Sequence, residues 1–200
     1  MPAPRPVPPH PGPLGHVEAR PGTWHDLIAL PPHVRGELIA NTLYAQPRPR
    51  PKHALAGLGI GGGIKSPFGD GRDGPGGWWI LAEPGLHLPK AKEVVPDVAG
   101  WRKERLPRLP DGPIEVVPDW VCEVLSPSNA RYDWLVKRPF YAQVGVAWLW
   151  FADVDARMVH VFQLVEGAWL ERALAGGADR ARLPPFDAVE LDLGLWWPEE

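Results

Sequence analysis

Residues 120–128 read Trp-Val-Cys-Glu-Val-Leu-Ser-Pro-Ser, and they join a strand to the start of a helix. The first six residues are aromatic, apolar or β-branched apart from Glu123, and a short run of this kind that ends near a proline predicts a buried strand. Ser128 can accept a hydrogen bond from the first turn of a following helix. The stretch therefore predicts a strand and a helix in succession, with one carboxylate inside the strand.

Similar short segments lie on both sides of this strand, and together they predict the core of a sheet in an α/β fold. The remaining predicted strands cover residues 78–83, 86–88, 94–101, 146–151, 158–164 and 168–174. The helix after Ser128 should run through Lys137, and the ring of Pro139 should break or kink it.

The part of the chain before this sheet is less regular. Thr23 can cap a short helix, and residues 35–44 suit either a strand or a helix. Residues 53–60 have a helical period weakened by glycines, and residues 61–77 carry the turn signals of a loop.

The composition predicts one folded domain, residues 21–200, after a flexible proline-rich tail, residues 1–20. Proline and glycine number 27 and 22 of 200 residues, but 11 tryptophans argue against general disorder. One cysteine excludes an internal disulfide framework, and no apolar run reaches the length of a membrane span. We expect a cytoplasmic protein. The scarcity of amides together with many loop prolines favours a thermophilic source, and the alternative is a GC-rich genome, which would bias the composition in much the same way.

Two carboxylates, Asp97 and Glu123, are embedded in predicted apolar strands. Burying an ionised carboxylate is costly unless it is paired, hydrogen-bonded or bound to a cation. Strand alternation puts Glu123 on one face with Val121 and Leu125, and Cys122 on the other. Hard oxygen ligands suit Mg²⁺ or Mn²⁺, so the pair predicts a metal site. The alternative is that each acid faces water at a sheet edge or forms an ion pair.

The segment Pro96-Asp97, followed at a distance by Glu123-Val124-Leu125-Ser126-Pro127-Ser128, resembles the bacterial putative restriction endonuclease family of the PD-(D/E)xK nuclease superfamily. The resemblance covers about residues 23–197. Further matching positions are Gly36-Glu37, His53, Asp133, Lys137, Tyr141 and Gly145-Val146.

This resemblance implies a restriction-endonuclease-like fold, in which helices flank a central mixed β-sheet. It also implies hydrolysis of DNA phosphodiester bonds, with Asp97 and Glu123 as catalytic residues that hold the metal ion. The superfamily normally has a lysine two residues after the second acid, but that position is Leu125 here. Lys137 is the candidate replacement, and its alternative is a pair with Asp133 on a solvated helix face. A catalytic Lys137 should then be replaceable by alanine with little change in melting temperature.

Two further residues could support the site. Glu37 is a candidate helix acid that completes the metal shell, with an exposed acid as the alternative. His53 could touch a phosphate or cap a helix.

Basic residues predict how DNA would be held. They form two clusters, residues 48–52 and residues 102–108, with Arg131 and Arg138 near the helix, and we expect the clusters to bracket both acids and bind phosphates. The alternative for each cluster is an ordinary solvated surface. A formal charge of -3 argues against a protein that coats nucleic acid indiscriminately. The tryptophans near the strands suit core packing and a homodimer interface better than base stacking.

Two rival functions remain open at this level. One is a nucleic-acid-binding module that kept the fold but lost efficient catalysis with the missing lysine. The other is a structural, oligomer-forming protein whose acids make ion pairs.

Overall fold

The computed structural model describes residues 16–199, which form two main β-sheets with helices packed against them. Most of the predicted tail, residues 1–15, lies outside the described residues. The fold begins earlier than predicted, because Glu18–Pro21 already pairs with Thr42–Pro47 as a strand.

The first sheet has the strand order β1-β3-β2-β6-β5 and is antiparallel throughout. Its strands are β1 (Glu18–Pro21), β2 (Val34–Ile39), β3 (Thr42–Pro47), β5 (Leu86–Leu88) and β6 (Ala91–Val94). Residues 35–44, which suited either a strand or a helix, are therefore a hairpin. Its turn residues Ala40 and Asn41 have φ of 49° and 60°, as a tight two-residue hairpin turn requires.

The second sheet has the strand order β11-β10-β9-β8-β7-β4. Its strands are β4 (Trp78–Ala82), β7 (Val98–Arg102), β8 (Trp120–Leu125), β9 (Trp148–Asp153), β10 (Met158–Val165) and β11 (Ala168–Gly176). The β8 and β9 strands are parallel and their other neighbours antiparallel, so the prediction of a mixed sheet is confirmed. A parallel pair needs a crossover connection, and the predicted helix after Ser128 supplies it.

The remaining elements are helices and one small sheet. They are α1 (Trp24–Ile28), α2 (Pro51–Ile64) with a π turn (Lys65–Gly69), α3 (Ala130–Tyr132), a second π turn (Asp133–Lys137), α4 (Arg138–Val144), the pair β12 (Arg180–Ala181) and β13 (Leu191–Asp192), and a 3₁₀ turn (Leu193–Leu195). Thr23 caps α1 through a reciprocal capping box with Asp26, as the sequence predicted.

The prediction of a loop over residues 61–77 is wrong in its first half, since helical structure continues to Gly69. Glycine is unfavourable in a helix, but here tertiary packing decides. A Cβ at Gly59 would lie 3.0 Å from the Trp196 Cα, and one at Gly63 would lie 2.8 Å from the Trp196 Nε1. The glycines of α2 therefore allow the C-terminal tryptophan to approach the helix.

The helix after β8 also begins differently from the prediction. Ser128 does not cap it, because Asn129 is the capping residue and the Ser128 hydroxyl lies 2.9 Å from that of Ser126.

Pro139 does not end the helix after β8, which differs from the prediction as well. The chain widens into the second π turn just before the proline and continues to Val144, a known way to accommodate a residue that cannot donate a backbone hydrogen bond.

The two faces of the second sheet pack in separate cores. Cys122 lies with Trp120 and Val124 in one core, and Val121 and Leu125 lie in the other. The predicted alternation along β8 is therefore confirmed. None of the helices within residues 16–199 has the length and apolar character to cross a membrane.

We expect Phe186→Ala to destabilise the fold by about 3–5 kcal/mol, because it empties an aromatic cluster. Phe186 is fully buried, and its ring centroid lies 4.8 Å from that of Phe68 and 4.9 Å from those of Trp78 and Trp120. Urea unfolding measures the change. Leu195→Ala is the matched control, since Leu195 is 79% exposed and should change stability little; similar losses for both variants would contradict this packing.

Candidate active site

A buried lysine between two buried carboxylates joins the two sheets. The Lys137 Nζ lies 3.0 Å from both carboxylate oxygens of Glu123 and 3.2 Å from the Oε1 of Glu37. Glu37 is on β2 of the first sheet, Glu123 is on β8 of the second, and all three side chains are at most 2% exposed. We call Glu37, Lys137 and Glu123 the ion triad.

The second π turn sets the direction of Lys137. At about 100° per residue, a regular α-helix would put residues five apart on different faces. In a π turn the hydrogen bond runs from residue i to i+5, so Tyr132 and Lys137 come to the same side. Tyr141, four residues further along in α4, then follows on that side as well. One helix face thus presents three polar groups to the acids.

The two tyrosines complete the environment of the glutamates. The Tyr141 hydroxyl donates to the Oε1 of Glu123 at 2.5 Å, and the Tyr132 hydroxyl donates to the Oε2 of Glu37 at 2.8 Å. The Oε1 of Glu37 also accepts a hydrogen bond from the Val95 backbone at 2.6 Å. Each buried carboxylate is therefore both paired and hydrogen-bonded, which burial of charge demands.

Asp97 lies beside Glu123 because of the strand register. Val98 pairs with Cys122 and Ala99 with Val121 in the antiparallel ladder of β7 and β8, and one further step puts Asp97 opposite Glu123. Side chains at opposed positions share a face. The Val124 backbone amide, next to Glu123, donates to the Oδ2 of Asp97 at 2.8 Å.

An arginine and a histidine approach the other oxygen of Asp97. The Arg35 guanidinium donates to its Oδ1 at 3.3 Å, and the Nε2 of His53 lies 3.1 Å from the same atom. Arg35 and Lys137 also both donate to the Val95 carbonyl, which fixes the backbone just before Asp97. Asp97 thus lies where the first sheet, the second sheet and α2 meet.

Burial and charge act in opposite directions on the two strand acids. Burial tends to raise the pKa of Asp97, but His53, Arg35 and Lys137 outweigh it and hold the pKa below its ordinary value. Burial raises the pKa of Glu123 to about 7, and the neighbouring carboxylates add to this effect against Lys137 and Tyr141. The two opposed acids therefore differ in basicity.

Lys137 stays protonated in this setting. Burial alone would lower the pKa of the Lys137 ammonium, but Glu123, Glu37 and Asp133 raise it above its ordinary value. Burial also raises the pKa of Asp133 well above its usual range, and its buried Oδ2 has no hydrogen-bond partner among residues 16–199. The alternative of a Lys137–Asp133 pair on a solvated face is wrong, since both residues are buried.

The acids open into a pocket of about 250 Å³. Asp97, Glu123 and Lys137 line it, and so do Arg35 and His53. The remaining lining residues come from the segment before β1, from the end of β3 with the basic loop, and from the turn after β8: His16, Gln46, Pro47, Arg48, Pro49, Arg50, Ser126, Ser128 and Asn129. The charged side chains of the pocket are mainly cationic, which suits an anionic ligand.

The donor set of the pocket fits a hard cation. No group of three His, Cys, Asp or Glu within residues 16–199 has the arrangement of a metal cluster. Two opposed carboxylates beside an open pocket suit Mg²⁺, which binds through one or two carboxylates and keeps several waters.

The structure brings together all of the sequence-derived candidates: Asp97, Glu123, Lys137, Glu37 and His53. Glu37 is in a strand and fully buried, so its expected position on a helix and the alternative of an exposed acid are both wrong. The sequence analysis did not identify Arg35 and Tyr132 as site residues. The signal for Arg35 was its position two residues before Glu37, on the same face of the strand.

The second basic cluster does not lie at this pocket. Asp97 precedes β7 and Arg102 ends it, so residues 102–108 follow the far end of that strand, about 17 Å along at 3.3 Å per residue. Arg105 pairs there with Asp119 at 2.7 Å. The expectation that both clusters bracket the acids is therefore wrong, and only residues 48–52 adjoin them.

Comparison with known proteins gives the class of this chain. The family model Uma2, described as putative restriction endonuclease, matches residues 24–194, so the chain belongs to that family. Membership supports nuclease activity in general and a nucleic acid as substrate.

A solved structure confirms the fold. The chain is similar to a crystal structure of a putative nuclease belonging to DUF820 from Anabaena variabilis ATCC 29413, with a TM-score of 0.66 and 21% identity. The similarity covers 88% of this chain and 98% of the other. None of the curated proteins matches this chain.

The burial of Lys137 changes the expected effect of its removal. We expect Lys137→Met to destabilise the fold by about 3–5 kcal/mol, because two buried carboxylates lose their cation. Adding Glu123→Gln should restore part of the loss. Chemical denaturation measures both changes. This expected loss of stability replaces the expectation from the sequence that removal of Lys137 would leave the melting temperature nearly unchanged.

Lys65→Met is the matched control for this experiment. Lys65 pairs with Asp70 at 2.6 Å, but their side chains are 53% and 40% exposed, so removing this solvent-screened pair should change stability little. Equal losses for the Lys65 and Lys137 variants would contradict the stabilising role of the ion triad.

Proposed function

We propose that this protein is a Mg²⁺- or Mn²⁺-dependent endonuclease that hydrolyses DNA phosphodiester bonds. The observation that carries the proposal is the opposed pair Asp97 and Glu123 at one end of the central sheet, with the Lys137 ammonium beside Glu123. Family membership supports the general activity, and the geometry supports these residues as the ones that perform it.

Asp97 and Glu123 would hold the metal ion. Such an ion polarises a phosphoryl oxygen and lowers the pKa of a bound water. Asp97, whose pKa is held low, would remain a charged ligand. Glu37 would not contact the metal ion but would orient Lys137 through their ion pair.

Lys137 would take the role of the lysine that is absent at Leu125. The Leu125 side chain is buried in the core, whereas Lys137 lines the pocket. A fixed ammonium beside the acids would offset the negative charge that develops on the phosphoryl group. Because the ion triad already holds the ammonium in place, no reorganisation is needed when the substrate binds.

Arg35, Arg48 and Arg50 would bind the DNA backbone. All three line the pocket, and guanidinium groups suit phosphate oxygens.

A second candidate is a nucleic-acid-binding module of the same fold with impaired catalysis. The observation that favours it is that both oxygens of Glu123 accept hydrogen bonds from Lys137. A metal ion would have to share this carboxylate with the lysine. Mn²⁺ binding without DNA cleavage would favour this candidate over the nuclease.

Three variants test the proposed roles. Asp97→Asn and Glu123→Gln should abolish both Mn²⁺ binding, measured by calorimetry, and cleavage of a plasmid substrate. Lys137→Ala should keep Mn²⁺ binding and lower the single-turnover rate by about 10² to 10³, the effect of one preorganised charge. Each variant is assayed below its melting temperature, and unchanged cleavage by Lys137→Ala would exclude a catalytic lysine.

Salt dependence tests the phosphate contacts. Removing one phosphate contact should reduce the slope of log affinity against log salt by about 0.9. We expect this change for Arg48→Ala and Arg50→Ala with duplex DNA, measured by fluorescence anisotropy in metal-free buffer. Arg108→Ala, in the distant basic cluster, is the control and should leave the slope unchanged. If Arg108→Ala reduced the slope more than Arg48→Ala and Arg50→Ala, the DNA would bind at the other end of β7.

A further inference from the structure

A second cleft of about 450 Å³ meets the candidate active site from the side of α2. The two cavities share Arg35, Arg48, Pro49, His53 and Asp97. The second one therefore does not form a separate site but continues the first, with two guanidinium groups at the junction.

The lining of this cleft changes away from the junction. The apolar lining residues are Ala54, Gly57 and Leu58 of α2, Ala82 at the end of β4, and Val95, which follows β6. Leu58 is 71% exposed, so a large apolar side chain lies in a cleft that adjoins a cationic pocket. Concave, mainly apolar sites of about 300–1,000 Å³ are typical of small-molecule binding.

We propose that this cleft binds the nucleobase next to the phosphate held in the active site, so that the substrate is single-stranded or locally unpaired nucleic acid. The inference rests on the proposed function, which puts a phosphate beside Asp97. A ligand with an anionic centre at the arginines and a flat, weakly polar ring beyond them matches both cavities. A base that is stacked and paired in a duplex cannot enter such a cleft, whereas an unpaired base can.

The surroundings offer the contacts that an unpaired base uses. Guanidinium planes and a histidine ring stack on bases, and Arg35, Arg48 and His53 lie at the junction. Glu83, at the mouth, can accept a hydrogen bond from a base edge, and it already accepts one from Arg35 at 3.1 Å. The cleft would thus hold one base without a requirement for a particular sequence.

Gly57 allows the cleft to be blocked without harm to the fold. A Cβ at Gly57 would meet only the Val124 Cγ2, at 3.9 Å. Because Gly57 lines the cleft, we expect a leucine at this position to fill part of it. Gly57→Leu should not lower the melting temperature, because leucine favours a helix more than glycine does. Gly62→Leu is the matched control, since it makes the same change on the same helix where a Cβ would meet nothing within 4 Å.

The experiment compares a fluorescein-labelled hexamer of thymidine with a hexamer of abasic tetrahydrofuran units that has the same phosphates. Binding is measured by fluorescence anisotropy in buffer with EDTA. The wild type and Gly62→Leu should prefer the thymidine hexamer on the order of tenfold, as base stacking predicts, and Gly57→Leu should lose this preference. Equal affinity of the wild type for both hexamers, or an unchanged preference in Gly57→Leu, would overturn the inference.

Cleavage of the same thymidine hexamer with Mn²⁺ separates this inference from the proposed function. If the wild type cleaves the hexamer but shows no preference for bases, base binding in the cleft is refuted and the nuclease activity stands. If Gly57→Leu abolishes a base preference of the wild type but no cleavage occurs, base binding in the cleft stands and the nuclease activity is refuted. Absence of binding to both hexamers would overturn the inference of a single-stranded substrate, whereas the nuclease is tested separately by cleavage of the plasmid.

Discussion

The ammonium of Lys137 holds this structure together at its centre. It connects Glu37 of the first sheet with Glu123 of the second, and it also donates to the backbone just before Asp97. An ion pair removed from water gains little over apolar packing unless its geometry is good and its remaining atoms are hydrogen-bonded. Here the tyrosines supply those bonds, so the arrangement specifies how the two sheets meet and at the same time keeps a charge beside the candidate site.

The same constraint explains why the acids can differ in character although they are neighbours. Asp97 faces Arg35 and His53, whereas Glu123 lies deeper and shares its cation with Glu37. One acid thus remains charged over the whole physiological range, and the other can gain a proton near neutral pH. Pairs of acids whose environments separate their pKa values are typical of sites that perform acid–base chemistry.

Local sequence patterns were enough to predict the strands of the second sheet and the buried acids Asp97 and Glu123, but not most strands of the first sheet. The apolar run around Glu123 and the proline before Asp97 are signals within a few residues, and burial of a carboxylate is itself unusual. What could not be predicted depends on contacts between distant parts of the chain. The helical course of residues 61–69 depends on Trp196, and the position of Glu37 depends on a separate sheet whose strands alternate weakly. The direction of Lys137 depends on a helix that departs from its usual period.

That departure also affects how this chain can be compared with others. The π turn at residues 133–137 adds the equivalent of one residue to a helix, so a relative with a regular helix would have one residue fewer between Tyr132 and Tyr141. An alignment without a gap would then pair Lys137 with the wrong position and make the lysine look absent. Sequence alignments of this helix should therefore allow a single-residue insertion before Pro139, so that residues are matched by the side of the helix they occupy.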